Sequence, residues 1–266
     1  GLGLAGASFA VVLAAIGRAV SPERRSLALG IGTAAGSLGQ FLLVPVGQAL
    51  LAEYGWTMAL VLLSVLSLAV VPLASALTGR SKAGAGEVDQ ALGAALREAG
   101  GHSSYMYLTA GFFVCGFQVV FIAIHLPAYI TDIGLSAELG GYALALVGLF
   151  NVIGSFAAGF FGGRFSKKYL LTGIYLARSA VIAAFVLAPP SAAAVLLFSA
   201  AIGLLWLSTV PLTSGLVAQF FGVRYMATLF GIVFFSHQIG SFLGVWLGGY
   251  LFDATGSYDV VWWINV

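Results

Sequence analysis

Uncharged apolar stretches of about 20 residues follow one another along almost the whole chain. A helical stretch of that length crosses the roughly 30 Å hydrocarbon core of a lipid bilayer. Of the 266 residues, 61% are hydrophobic and 8% are charged, whereas soluble domains have roughly 45–50% and about 25%. This composition excludes a water-soluble globule. The sequence therefore predicts an all-α polytopic membrane protein.

The apolar stretches predict eight membrane spans and the start of a ninth near Val260. We place them at residues 1–17, 27–51, 57–78, 104–127, 140–162, 169–188, 193–217 and 227–250. The sixth and seventh should form a tight hairpin, because Pro189 and Pro190 break the run between them. Since Gly1 and Val266 both lie inside apolar runs, we expect a fragment of a longer protein.

One sizeable polar segment, residues 79–103, divides the predicted spans into two groups. We expect it to be a cytoplasmic linker with a short surface helix at residues 88–99. It separates a first part, residues 1–78, from a second part, residues 104–266. The chain is thus predicted to consist of a three-span part and a part with five spans and the start of a further one.

Basic residues occur only in alternate connections between the predicted spans, which indicates that these connections face the cytoplasm. The net charge of +2 gives no reason to expect a nucleic-acid partner. We expect a multi-pass protein of the cell (inner) membrane, with the lipid bilayer as its surroundings. The basic residues concerned are Arg18, Arg24, Arg25, Arg80, Lys82, Arg97, Arg164, Lys167, Lys168 and Arg224.

Several short patterns, in their order and spacing, are similar to one family. They are Pro22-Glu23-Arg24-Arg25, Ala35-Gly36-Ser37-Leu38-Gly39-Gln40, His125-Leu126-Pro127, Asn151-Val152-Ile153-Gly154, Gly240-Ser241-Phe242-Leu243-Gly244 and Asp253-Ala254-Thr255-Gly256. With these patterns the chain resembles the major facilitator superfamily, and within it the branch of monocarboxylate transporters and oxalate/formate antiporters. The resemblance implies two bundle halves, with this chain running from the fourth helix to the start of the twelfth.

The resemblance also implies a gating loop on the inner side, formed by Gly159, Arg164, Lys167 and Lys168. Two positions depart from the family pattern. Gly163 stands where the loop usually has an acid, and Ser155 stands where the monocarboxylate branch tends to carry a substrate-binding arginine. Each departure removes a charge that the family would be expected to use.

Arg178 is the one charge well inside a predicted span, and Tyr175 precedes it by one turn. A charge at the bilayer centre costs about 2.5–3.5 kcal/mol on insertion scales, so it requires a bonding partner or a functional role. One interpretation is a counter-charge that holds a carboxylate substrate. The other is a packing arginine that donates to carbonyls and hydroxyls of neighbouring helices.

His237 lies near the middle of the eighth span, beside Gln238. It could exchange a proton or donate to an anion, or it could be a neutral histidine bonded to a neighbouring helix. The glycines that follow at four-residue spacing predict a face that another helix approaches closely. These are Gly240, Gly244 and Gly248.

Other polar residues share helix faces at similar depth and either line a water-filled path or bond between helices. Gln118 and His125 lie on one face of the fourth span, with His125 expected near the outer surface. The remaining stripes are Ser37, Gln40 and Gln48; Asn151 and Ser155; and Trp206, Thr209 and Thr213.

The sequence contains none of the usual enzyme signatures, and its single cysteine, Cys115, offers no cluster for a metal. We expect no enzyme activity, no cofactor and no metal. The function that we predict is secondary transport of a small organic anion by alternating access, coupled to a proton or to exchange. The alternatives are an exporter of hydrophobic compounds and a non-transporting scaffold or receptor.

Overall fold

The computed structural model describes residues 8–75 and 90–266, without the side chains of Gln40, Val44, Pro45, Gln48, Ala74 and Ser75. Within these ranges the chain forms helices and no strand. The helices are α1 (Phe9–Ala19), α2 (Pro22–Ser67), α3 (Val70–Ser75), α4 (Leu92–Gly101), α5 (Ser103–Asp132), α6 (Ala137–Gly162), α7 (Lys167–Leu187), α8 (Ala192–Leu205), α9 (Thr209–Phe221), α10 (Met226–Thr255) and α11 (Asp259–Ile264).

Seven helical segments in the described ranges are long and apolar enough to cross a membrane. They coincide with the second to eighth predicted spans. α1 is a shorter apolar helix, and α11 begins where the ninth span was expected; residues 1–7 and 76–78 of the predicted spans lie outside the described part. The all-α membrane class predicted from hydropathy is confirmed.

The second and third spans are joined at Gly55, whose φ of 71° and ψ of 170° interrupt the helical backbone of α2. A positive φ is strained for residues with a side chain, and glycine adopts it without that cost. The surface helix of the predicted linker is found at Leu92–Gly101, a few residues later than expected. Residues 76–89 of that region lie outside the described part.

α7 and α8 form the hairpin that the two prolines predict. α7 ends at Leu187 and α8 begins at Ala192, and Phe185 stacks on Phe198 with the ring centroids 4.1 Å apart. The seventh predicted span is found at Ala192–Phe221, but its helix is interrupted. The helix stops at Leu205 and resumes at Thr209, so that Trp206 lies in the break and the predicted stripe of Trp206, Thr209 and Thr213 is not continuous.

The glycine face of α10 packs against α5, as its spacing predicts. A Cβ on Gly240 or Gly244 would overlap the carbonyl groups of Phe113 and Phe117 on α5, and a Cβ on Gly116 would overlap the carbonyl of His237. The two backbones therefore touch directly, which requires the absence of side chains at these positions. This contact holds His237 and the middle of α5 together.

The described loops with basic residues meet at one end of the bundle, which we call the basic end: residues 18–25, 163–168 and 222–225. A Cβ on Gly17 would lie 3.0 Å from Met226 Sδ, and one on Gly162 would lie 2.8 Å from Ser26 Oγ. α2 and α6 touch most closely here, where a Cβ on Gly30 would lie 2.6 Å from Gly159 Cα.

Candidate functional site

The break between α8 and α9 is the centre of the polar network. Backbone N–H and C=O groups that leave a helix at membrane depth must be satisfied by protein or water, because the hydrocarbon core offers no partner. Trp206, Leu207 and Ser208 form this break. Pro211 contributes to it, since proline lacks an N–H and its ring clashes with the carbonyl four residues earlier, that of Leu207.

Arg178 on α7 binds the carbonyl groups at the end of α8. Its Nε donates to Leu205 O at 3.1 Å, and its Nη2 donates to Leu205 O at 2.6 Å and to Trp206 O. The side chain is 1% exposed. A cation at a helix C-terminus satisfies the orphan carbonyls and interacts favourably with the helix dipole. Arg178 therefore stabilises the broken helix.

The remaining nitrogen of Arg178, Nη1, donates to Cys115 Sγ at 3.1 Å. Cys115 is fully buried and lies 3.4 Å from Thr209 Oγ1, at the start of α9. The Tyr175 ring lies 5.7 Å from the Arg178 guanidinium, and its hydroxyl donates to Gly111 O at 2.7 Å. Most donors of the guanidinium are thus bonded to protein atoms, and it forms no ion pair with a carboxylate of the described residues.

Asn151 on α6 binds the break from the other side. Its Oδ1 accepts a hydrogen bond from Leu207 N at 3.0 Å and one from Ser155 Oγ at 3.2 Å. Its Nδ2 donates to Ser37 Oγ on α2 at 3.0 Å. One buried amide therefore joins α2, α6 and the freed backbone between α8 and α9.

His237 on α10 lies in an aromatic setting beside this network. Its ring stacks on Phe234 with centroids 5.4 Å apart, lies 5.0 Å from Phe112, and has Ser241 Oγ 3.4 Å from Nδ1. Gln238, the next residue, is exposed and does not share the buried face of His237.

Gln118 and His125 lie on α5 but face other partners. Gln118 Nε2 donates to the carbonyl of Asn265, just after α11, at 2.8 Å. His125 Nε2 donates to Val245 O at 3.0 Å, which leaves Nδ1 of a neutral ring to accept from Tyr258 Oη at 3.3 Å. The structure does not bring these two residues together with Arg178.

The four residues of the predicted gating loop separate in the structure. Gly159 is the residue of α6 that touches Gly30 on α2. The Arg164 guanidinium lies 3.9 Å from the Phe160 ring centroid, and the Lys168 ammonium 5.8 Å from that of Tyr169. Lys167 turns inward, with its Cε next to Gly215 on α9. The side chain of the remaining candidate, Gln40, lies outside the described part of α2.

A cavity of about 970 Å³ opens at the basic end between α5, α7 and α9. Its lining includes Tyr107, Gly111, Tyr175 and Lys168 but not Arg178, Asn151 or His237. The cavity therefore reaches Tyr175 at the edge of the polar network without including Arg178.

Sequence reasoning named most members of the network but missed what joins them. Leu207 carried no signal of its own in the sequence. Ser37 was placed on a polar stripe, but its bond to Asn151 depends on the packing of α2 against α6. The described residues contain no group of three or more metal-ligating side chains.

Comparison with known proteins adds a family match over most of the chain. A family model described as Major Facilitator Superfamily matches residues 1–245. The chain is also 28% identical over 259 residues to monocarboxylate transporter 13 of Bos taurus, covering 94% of this chain and 59% of that protein. Monocarboxylate transporter 12 of Rattus norvegicus is 25% identical over 292 residues, covering 97% and 60% respectively.

A bacterial protein shows a shorter match. The uncharacterised MFS-type transporter YcxA of Bacillus subtilis (strain 168) is 28% identical over 162 residues, covering 57% of this chain and 38% of that protein. The chain spans about three fifths of the length of the monocarboxylate transporters that it matches.

Proposed function

The chain belongs to the major facilitator superfamily, and we propose that it forms part of a secondary transporter that carries a small organic anion by alternating access. The chain is a multi-pass membrane protein, and the family is one of transporters rather than enzymes. We propose the cell (inner) membrane as its location. The driving force that we propose is a co-transported proton or exchange against a second anion.

The main support for this proposal is the positive charge of the buried Arg178. Arg178 is the one charged side chain among the buried residues of the described ranges. Its bonded partners are carbonyls and a sulfur, and none of them is a carboxylate. A buried cation without a carboxylate makes the local potential positive and attracts an anion. The names of the relatives, monocarboxylate transporters 13 and 12, support the same substrate class.

We propose that Arg178 acts on the substrate through its charge and not through a bidentate contact. Its donors are already occupied by Leu205, Trp206 and Cys115. His237 is the proposed proton carrier, because a proton on its buried ring would add a second positive charge inside the bundle and strengthen the attraction for an anion. Asn151 is proposed to couple movement of α2 to the helix break through its bond to Ser37.

The proposed rocking movement has its pivot at the contact between α2 and α6. The two helices touch at Gly30 and Gly159 near the basic end and share the bond between Ser37 and Asn151 further along. Alternating access in this fold is largely the rocking of one bundle against the other around a fixed site. We propose that this arrangement is a state in which α2 and α6 are closed against each other at the basic end.

Export of hydrophobic compounds is the second candidate function. The observation that favours it is the burial of Arg178 against protein groups, since such an exporter does not need the guanidinium to meet its substrate. The two functions differ in the charge of the compound that crosses the membrane.

The test is a flux assay with the purified protein in proteoliposomes. We expect saturable uptake of a radiolabelled short-chain monocarboxylate such as pyruvate, driven by an inward proton gradient or by internal unlabelled pyruvate. The Arg178→Met variant should abolish this flux. The control variant Leu176→Met should preserve it, because Leu176 lies on the same helix and its side chain is 67% exposed. Flux of a hydrophobic dye without carboxylate flux would favour the exporter, and no flux of either would favour the scaffold.

A further inference from the structure

The wall of the cavity at the basic end carries positive charge. Arg164, Lys167 and Lys168 contribute to this wall, and the described lining includes no aspartate or glutamate. None of the three forms an ion pair with a carboxylate in the described ranges, 8–75 and 90–266. Cations that share one cavity repel each other, and an anion inside the cavity would relieve that repulsion. The electrostatics of the cavity therefore favour an anionic occupant.

Two long helices begin at this cavity, so the positive ends of their dipoles adjoin it. α5 begins at Ser103 and α7 at Lys167, and both residues line the cavity. The two first turns lie within the described ranges and contain no acid. The hydroxyl of Ser166, the N-cap of α7, forms no cap hydrogen bond. The first N–H groups of α7 therefore keep their capacity to bind an anion such as a phosphate.

Two helices also end at the cavity, with hydrogen bonds to the carbonyl groups of their last turns. α6 ends at Gly162, and the nitrogens of residues 163–165 donate to carbonyl groups of its last turn. α9 ends at Phe221, and the nitrogen of Gly222 donates to its last turn at 3.0 Å. These bonds reduce the negative potential of both helix ends. The cationic side chains therefore determine the sign of the potential inside the cavity.

The cavity extends from the helix starts into the apolar part of the bundle. Its lining residues farthest from those starts are Gly111 and Tyr175, and the tyrosine hydroxyl donates to Gly111 O at 2.7 Å. Gly111 follows Ser103, and Tyr175 follows Lys167, by a rise of about 12 Å along each helix. The walls between the two levels are formed in part by Leu108, Leu171 and Leu216. The cavity thus combines cations at its rim with apolar walls further in.

A lipid matches this distribution better than a free ion. A phosphate ion would fill only a small part of the roughly 970 Å³. The spans Ser103–Asp132 and Lys167–Leu187 begin here and Ala192–Phe221 ends here, which places the rim at the level of lipid headgroups. Tyr107 and Tyr169, beside the cationic rim, are exposed, as is typical of tyrosine at a membrane surface. Basic pockets between membrane spans are suited to the headgroups of anionic lipids.

We propose that this cavity binds one anionic phospholipid of the surrounding bilayer. The lipid phosphate lies at the rim, against Arg164, Lys168 and the N-terminus of α7. The part of the lipid below the phosphate lies against the leucine walls and reaches toward Tyr175. The site does not depend on which compound the protein transports.

The test is the effect of lipid charge on the stability of the purified protein. The thermal unfolding midpoint is followed by circular dichroism in detergent micelles with added phosphatidylglycerol or phosphatidylcholine of identical acyl chains. We expect phosphatidylglycerol to give a midpoint about 2 to 4 °C higher than phosphatidylcholine. Lys168→Gln should remove this difference. Arg24→Gln should keep it, because Arg24 is an exposed cation of the basic end that does not line the cavity.

A second pair of variants tests the cavity without changing any charge. Ser104 lines the cavity near the start of α5, so Ser104→Trp places an indole where the lipid is expected. Met106 lies on the same helix, is 51% exposed and does not line the cavity. We expect Ser104→Trp to remove the difference between the two lipids and Met106→Trp to keep it. This pair decides the question should Lys168→Gln fail to fold.

Four results would overturn the proposal. They are equal midpoints in the two lipids, an equal loss of the difference in Lys168→Gln and Arg24→Gln, and a difference that survives both Lys168→Gln and Ser104→Trp. The fourth is a rise of the same size when sodium phosphate replaces sodium chloride at constant ionic strength in phosphatidylcholine, which identifies a site for a free ion. Because the readout is stability, a failed transport assay does not affect this test.

Discussion

Asn151 Nδ2 donates a hydrogen bond to Ser37 Oγ at 3.0 Å, while Asn151 Oδ1 accepts from the backbone nitrogen of Leu207. One amide thus links α2, in the first half of the chain, to the broken helix of the second half. Movement of α2 along α6 must lengthen the first bond or disturb the second. Ser37 and Leu207 are therefore mechanically coupled through a single side chain.

Replacement of Asn151 should cost more stability than replacement of its partner on α2. Asn151→Ala leaves the partly buried Leu207 N–H without an acceptor, which costs about 1–3 kcal/mol. Ser37→Ala removes one interhelical hydrogen bond, worth about 0.6 kcal/mol in a membrane protein. Unfolding in mixed detergent micelles, followed by circular dichroism, measures both. Equal losses for the two variants would contradict the role of Asn151 at the break.

Arg178→Lys should separate the charge of Arg178 from its bonding geometry. Lysine keeps the positive charge, but it lacks the planar fork that reaches Leu205, Trp206 and Cys115 together. We expect a loss of about 1–2 kcal/mol in unfolding free energy with carboxylate flux still measurable. Abolished flux in a folded Arg178→Lys protein would show that attraction by charge alone is insufficient.

Gly30→Ala should open the contact between α2 and α6. Its new Cβ would meet the backbone of Gly159 at 2.6 Å, whereas a Cβ on Gly39 of the same helix meets no atom within 4 Å. Spin labels at Glu23→Cys and Phe165→Cys, both at exposed positions of the basic end, report the separation. We expect a longer distance with Gly30→Ala and an unchanged one with Gly39→Ala. Identical distance distributions would rule out the proposed pivot.

Tyr258 should titrate above the usual range of tyrosine. Burial raises the pKa of its phenol, and the negative charges of Asp132 and Asp253 raise it further. Because the folded protein holds this proton more tightly than the unfolded chain, the contribution of Tyr258 to stability is complete below about pH 10 and is lost as pH rises through the folded-state pKa. Difference absorbance at 295 nm between the protein and Tyr258→Phe measures the titration, with exposed Tyr142→Phe as control. A midpoint at or below that of free tyrosine would contradict this assignment.

The apolar runs and the proline pair were sufficient to predict the membrane spans and the hairpin between α7 and α8. Apolar runs long enough for a bilayer have few alternatives to helix, and the two consecutive prolines Pro189 and Pro190 interrupt the helical hydrogen bonds. The face of Gly240 and Gly244 was equally readable, since small residues at four-residue spacing indicate close helix packing. These features depend on residues that are near one another in the chain.

The function of a buried polar residue was not readable in the same way. Arg178 had two interpretations because its partners lie 27 and 28 residues away, on a helix whose break was not anticipated. The direction of Lys167 was likewise hidden, because it depends on the space that Gly215 leaves on a different helix. Sequence identifies the groups that need partners, and packing decides which partners they receive.

The complete burial of Cys115 has a practical value for experiments on this protein. It is the single cysteine of the 266 residues, and its sulfur contacts Arg178 and Thr209 inside the bundle. Maleimide dyes and nitroxides should therefore attach to engineered surface thiols while leaving the native one untouched. Labelled variants can keep the wild-type residue at this position, so the guanidinium–sulfur contact survives in the molecules whose motions are recorded.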